Sequence, residues 1–224
     1  VEPIADDLVR AWPPFGVRIT CGPLEMRALR DGDFSEVFAV LREGVHAPER
    51  RVFYVPWTDS TGVQLEREFA QFHWRQRAEM SPERWALELG VWHEGSFVGM
   101  QGVSTSDFPV TRTGETGSWL GRRFHGRGIG TLMRQALCVA CFDHLGFEEV
   151  TSGAFSDNPE SLGVSRKVGY VRDGESRLVR DGAVATNVRL VLTPDALVRP
   201  SYAVEVEGAA AFLDLVGAGQ ARAT

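Results

Sequence analysis

The chain has 224 residues, 43% apolar and 24% charged, with a formal net charge of −6. That composition is ordinary for a soluble globular protein and excludes a general basic surface for nucleic acid. The length suits one large domain, or one domain with an extension, and is enough to bury a core without disulfides or metal. No apolar run is long enough to span a membrane. Val1 to Arg10, acidic and without a long apolar core, do not read as a signal peptide. Three cysteines, an odd and low count, argue against a disulfide framework and fit a reducing, cytoplasmic setting. Cys138 and Cys141 form a C-x-x-C inside a helical pattern. No second ligand pair completes a four-ligand zinc site, so they read as structural thiols and no metal is expected.

Along the chain, "AWPPFG" (Ala11 to Gly16) is a Pro-rich lead-in, and "LEMRAL" (Leu24 to Leu29) alternates like a strand. "DGDFSEVFAVLREG" reads as a helix capped by Asp31 or Asp33, with Phe34, Val37, Phe38 and Leu41 on one face. Val63 to Met80 predicts a second helix, rich in aromatic and charged residues. Trp85, Leu87, Leu89 and Val91 then alternate, "HEGS" turns and "FVGMQGV" continues, which predicts a hairpin with Glu88 on the face opposite Leu87 and Leu89. Thr113 to Gly121 is a third strand. From Gly128 the period becomes helical through Ile129, Leu132, Met133, Ala136, Leu137, Ala140 and Cys141, and His144 and Gly146 end it. "FEEVTSGAFS" is a strand. "DNPESLGVSRKVGY" is a short helix with Asn158 as cap, Pro159 in the first position and Gly169 as stop. Two strands follow, then residues 194–224 with one short amphipathic helix and last residues expected to fray. The order β-α-α-β-β-β-α-β-α-β-β indicates an α/β (α+β) fold: a mixed sheet covered on both faces.

The stretch "FHGRGIGT" (Phe124 to Thr131) joins a strand to an apolar helix. A Walker A loop fails, because Arg127-Gly128 stands where Lys-Ser/Thr is required. A Rossmann fingerprint fails at Thr131 and lacks its acid about 20 residues on. "HGRGIG" fits [Q/R]-x-x-G-x-[G/A] apart from His125. Backbone N–H groups at a helix start bind a pyrophosphate, and glycines keep Cβ atoms out of the way. Arg127 adds charge at the rim, next to a local basic patch with Arg122 and Arg123.

This segment, with Trp119-Leu120 before it and Asn158 to Ser161 and Lys167 to Tyr170 after it, resembles the GNAT superfamily of Gcn5-related N-acetyltransferases. The ribosomal-protein N-terminal acetyltransferase-like branch is most similar. The resemblance covers roughly Leu24 to Leu192. It implies a GNAT fold, a mixed and mostly antiparallel twisted sheet with a splayed central parallel strand pair, in a domain at 24–193 between a lead-in at 1–23 and an extension at 194–224. It implies acetyl-CoA as cosubstrate, with Trp119 and Leu120 offering backbone groups to the pantetheine arm or thioester. Gly126, Arg127, Gly128, Ile129, Gly130 and Thr131 would hold the pyrophosphate, and Asn158 the pantetheine.

The expected reaction is direct acetyl transfer to a primary amine, on a peptide N-terminus or a small molecule, without an acyl-enzyme. Ser161 matches the acid that this branch can use. Ser165 stands where many members carry Tyr. A thiolate leaving group, with a thiol pKa of ~8.5, needs little help. Asp107, Glu115 and Glu88 are candidate general bases, ahead of His73 and His93, and Gly153 removes another route. Gly163, costly in a helix, points to close packing there. The Val63–Met80 helix and the C-terminal extension are expected to shape the acceptor pocket. The resemblance leaves a homodimer open. A catalytically inactive acyl-CoA-binding module and a nucleotide-binding protein are the alternative readings.

Overall fold

The computed structural model describes residues 6–47 and 49–219. The fraying expected of the last residues, and the first half of the stretch weighed as a signal peptide, lie outside the described residues. Among the described residues nine strands form one sheet, in the order β7-β8-β6-β5-β4-β3-β2-β1-β9. They are β1 Arg18–Cys21, β2 Leu24–Ala28, β3 Arg84–His93, β4 Ser96–Ser106, β5 Thr113–Leu120, β6 Glu149–Phe155, β7 Val171–Arg180, β8 Ala183–Leu192 and β9 Val204–Glu207. The helices are α1 Asp6–Ala11, α2 Phe34–Glu43, α3 Gly62–Ala78, α4 Phe108–Thr111, α5 Ile129–Val139, α6 Pro159–Val168 and α7 Ala209–Leu215.

Local chemistry sets most boundaries. Two of the three two-residue hairpins turn on a pair with positive φ, Glu94-Gly95 (51° and 78°) and Asp181-Gly182 (54° and 75°), the backbone that matches strand twist; the third, between β1 and β2, turns on Gly22-Pro23, with Gly22 at 56°. Asn158 caps α6 by accepting the Ser161 N–H at 3.2 Å, and Gly169, at φ 107°, ends it. The apolar stripe of α5 runs on into a π turn at Ala140–His144 before Gly146 breaks away.

Several elements lay beyond the sequence pattern. β1 and β9 are four residues each, too short to show alternation, and they pair with one another antiparallel. The Pro-rich lead-in coils into a 3-10 turn at Pro13–Gly16. The one-turn α4 follows β4 because Asp107 (φ 53°) turns the chain sharply and Phe108 buries itself completely.

Period-2 alternation sends the two faces of the sheet to different partners. On one face, Trp85 of β3 meets Phe108, Phe147 and Phe212 edge-on, the last at 5.0 Å on α7. α5 lies on this face too. On the other, α2 and α3 cover the sheet: Trp92 donates to Glu36 of α2 at 3.0 Å, and Trp119 of β5 lies 6.2 Å from Phe69 of α3. Among the described residues, the C-terminal stretch thus packs opposite the α2–α3 face and is not part of the lining of the cavity described below. α7 is integral to the core, since Phe212 is fully buried. Phe212→Ala is expected to cost about 3–5 kcal/mol, read as a lowered urea midpoint with unchanged slope. A change under about 1 kcal/mol would show that α7 is dispensable for stability.

Candidate active site

The site grows from one irregularity in the sheet. β5 and β6 are parallel neighbours, yet they pair only at Thr113–Glu149, Gly114–Val150 and Glu115–Thr151. Beyond that the strands diverge, and the stretch from Thr116 to Leu120 has no ladder partner on its β6 side. β5 then leads through a 3-10 turn into the start of α5. Gly126 and Gly128 have φ of 74° and 81°, and a Cβ on either would meet no protein atom within 4 Å. His125, Gly126, Arg127 and Gly128 are exposed, whereas Ile129 anchors the helix start in the core. Glycine at these positions leaves an open approach to the first-turn N–H groups, which have no intrahelical acceptor. The residues therefore fit a pyrophosphate in shape as well as in charge. His125, the irregular member of the motif, bonds through Nε2 to the Leu120 carbonyl at 3.0 Å and ties the loop to the strand.

Cross-strand register places the remaining candidates on the α2–α3 face in three rows. Gly90, Met100 and Trp119 form one, and Glu88, Gly102 and Gly117 the next. Ala86, Ser104, Glu115 and Thr151 form the third. All four residues of that third row line an open cavity of about 580 Å³, bordered also by Gln76, Glu79 and Met80 at the end of α3. Glu79, Glu115 and Glu149 face it with Arg84 as the single cationic lining residue.

Glu88 lies between this cavity and the strand split. A Cβ on Gly102 would sit 2.6 Å from its Oε2, so the carboxyl lies directly across Gly102. Next to it, a Cβ on Gly117 would meet nothing within 4 Å. Two glycines thus form a trough, with a carboxyl on one side and open space on the other. Burial pushes the Glu88 carboxyl up to about 7, with no charge or hydrogen bond opposing it. His73 of α3 is buried, and that burial, with the nearby Arg77, pushes it down to about 4. It stays neutral at physiological pH and is a weak base.

The sequence-derived residues divide accordingly. Glu115 is exposed on β5 in the cavity. Asp107 is exposed at the turn after β4, outside the cavity lining, five residues beyond Gly102 or roughly 17 Å of strand. Trp119 places its ring among Trp57, Phe69 and Phe97. Thr131 is half-buried in the first turn of α5, and a Cβ on Gly130 would lie 3.6 Å from Leu120 and Val164. Ser161 is half-buried beside the Asn158 cap, while Ser165 is buried with an unpartnered Oγ. No protein atom packs against Gly163, so the close contact expected there is not made by described residues. Arg123 pairs with Glu43 at 2.6 Å, whereas Arg122 and Arg127 are exposed. Burial raises the thiols of Cys138, to about 11, and Cys141, consistent with structural roles.

A sheet with one splayed parallel pair, opening onto a glycine-rich helix start, defines an acyltransferase of the GNAT type. The acetyltransferase (GNAT) domain family matches residues 24–171, and the chain belongs to it. YdaF of Bacillus subtilis (strain 168), by its name a candidate ribosomal N-acetyltransferase, is 30% identical over 103 residues. That match covers 46% of this chain and 54% of YdaF, about half of the relative's length. Mycobacterium smegmatis RimJ, solved in complex with CoA-disulfide, shares the fold at a TM-score of 0.66 and 20% identity, over 92% of this chain and 96% of that one. A Salmonella typhimurium acetyl transferase, titled as modifying the N-terminal serine of ribosomal protein L7/L12, superposes at 0.62 with 15% identity, over 76% and 95% of the two chains. No described helix is long and apolar enough to cross a membrane.

The raised Glu88 carboxyl has a consequence for stability. Its folded-state value lies above the ordinary 4.5, so its contribution is complete below about pH 4.5 and is lost as the pH rises through about 7. Relative to wild type, Glu88→Gln is expected to gain up to about 3 kcal/mol between those limits, measured by urea unfolding from pH 4 to 8. A pH-independent difference would mean that the carboxyl is solvated.

Proposed function

We propose that the chain transfers an acetyl group from acetyl-CoA to the α-amine of a polypeptide N-terminus by direct attack. The observation that carries this reading is the Glu88–Gly102–Gly117 trough, standing between an acid-lined cavity and a strand split that ends in a glycine cradle.

Gly126 to Thr131 would hold the pyrophosphate with backbone N–H groups, Arg127 adding charge. The unpaired edge of β5 through Trp119 and Leu120 would hold the pantetheine amides as an added strand, with Asn158 across the split. Bound there, the cosubstrate supplies an activated acyl carbon. The cavity, with three carboxylates to one Arg, suits a cationic amine. Glu88 takes the proton that the amine must lose. An α-amine ionises near ~7.7–8.0 and a lysine side chain near ~10.4. A base at about 7 is therefore matched to the first and poorly matched to the second. As the C–N bond forms and the C–S bond breaks, the amine proton goes to Glu88 and the electron pair to sulfur. Ser161 and Ser165 are the donors available to that sulfur. The names of YdaF and of the Salmonella typhimurium enzyme support a ribosomal protein as acceptor.

CoA release tested against peptides with free N-termini, the same peptides blocked, and polyamines should favour the free peptides. Activity confined to polyamines would overturn the acceptor assignment. Glu88→Gln should lower kcat by about 10²–10⁴-fold and remove the acid limb near pH 7, with acetyl-CoA binding retained. An unchanged pH profile would exclude Glu88 as base.

A further inference from the structure

Beneath the split, on the α5 face, lies a buried charge outside the chemistry above. Arg134 of α5 is 4% exposed. Its Nη2 donates to Ser118 Oγ of β5 at 2.8 Å, its Nη1 to Ser152 Oγ of β6 at 3.2 Å and its Nε to Gln101 Oε1 of β4 at 3.2 Å. The guanidinium therefore bridges β5 and β6 just past their last ladder pair, Glu115–Thr151. Gln101 in turn donates to the Gly117 carbonyl at 2.9 Å, so the network reaches the backbone of the trough. All three acceptors of Arg134 are neutral, and no described carboxylate pairs with it. Two titratable neighbours, Cys138 and Tyr170, are both held protonated by burial and supply no negative charge. Donor capacity remains on both terminal nitrogens.

The Tyr170 ring centroid lies 5.9 Å from the guanidinium carbon, but no described negative charge faces this buried cation, and an aliphatic side chain would fill the same space in an apolar helix stripe without the cost of burying a charge. A positive charge here is offset when negative charge arrives in the split. Phosphates belong at the opposite end, beside Gly126 and Gly128. The negative charge that arises at this end belongs to the reaction itself: the electron pair of the breaking C–S bond moves onto sulfur. We propose that Arg134 is a positioning residue for acetyl transfer, which sets the width of the split through Ser118 and Ser152 and holds a positive field under the departing thiolate. This rests on the acetyl-CoA reading.

The test titrates the thiol of bound CoA by its ultraviolet thiolate absorbance in wild type, Arg134→Lys and Arg134→Met, after calorimetry has established saturation. The bound thiol should ionise at least one pH unit below its ordinary ~8.5 in wild type, nearly so in Arg134→Lys, and at or above it in Arg134→Met. In steady-state assays Arg134→Met should lose about 10–100-fold in kcat with KM for acetyl-CoA changed less than about threefold. If Arg134→Met does not fold, the comparison of Arg134→Lys with wild type decides: a bound-thiol value at or above 8.5 in both overturns the proposal. Equal thiol values in all three proteins, with CoA bound, would also overturn it and leave Arg134 a structural clip. Wild type that binds no CoA overturns the acetyl-CoA reading and this proposal together, and calorimetry alone reveals it.

Discussion

Parallel ladders are continuous in most sheets, and here one stops after three pairs. At the point where it stops, side chains take over from backbone. Thr116 Oγ1 donates to the Thr151 carbonyl at 3.0 Å, and Ser152 Oγ to the Thr116 carbonyl at 3.3 Å. Thr116 also meets the Tyr170 hydroxyl at 2.7 Å. These hydroxyls take up the Thr151 and Thr116 carbonyls at the fork, where the ladder ends. The fork then fixes the rest. It frees one edge of β5, aims the chain at the start of α5, and leaves a gap floored by α5 and roofed by α2 and α3.

Glycine is as decisive here as any reactive side chain. Gly102 leaves room for its neighbour across the ladder, since a Cβ would push the Glu88 carboxyl out of its place. Gly99 is required by the backbone of β5, since a Cβ would come within 2.1 Å of the Trp119 carbonyl. Gly126 and Gly128 are required by their dihedrals. The strands can therefore approach closely on one side of the site and leave it open on the other. The carboxyl gains its high proton affinity from the same crowding, without a charged partner.

Much of this was legible in the chain. Turn dipeptides, helix stripes and the Asn158 cap placed the central elements, because each is a local device with a local signature. The glycine-rich start of α5 was legible for the same reason. Glu88 was assigned correctly to its face by alternation, but its standing depends on Gly102 and Gly117, which belong to two other strands. Only register brings the three together, and register is not a local property. Asp107, chosen as a carboxylate after a hairpin, lies exposed at the turn and outside the cavity lining. Arg134 sat unnoticed in an apolar helical run, where a long charged side chain is ordinarily read as surface. β1 and β9 escaped because four residues carry too little pattern.

The pairing of those two strands has a mechanical meaning. Arg18 stands opposite Glu207 and Cys21 opposite Val204, so the chain preceding β1 and the chain following β9 leave from the same end of the ladder. A load applied between them, once α7 has been detached, meets the four pairs one at a time rather than all together. The sheet edge would peel like a zipper, at low force, while the strands around the fork, embedded between neighbours on both sides, bear none of it. An unfoldase gripping either flank would therefore strip the margin of the sheet before it disturbed the split.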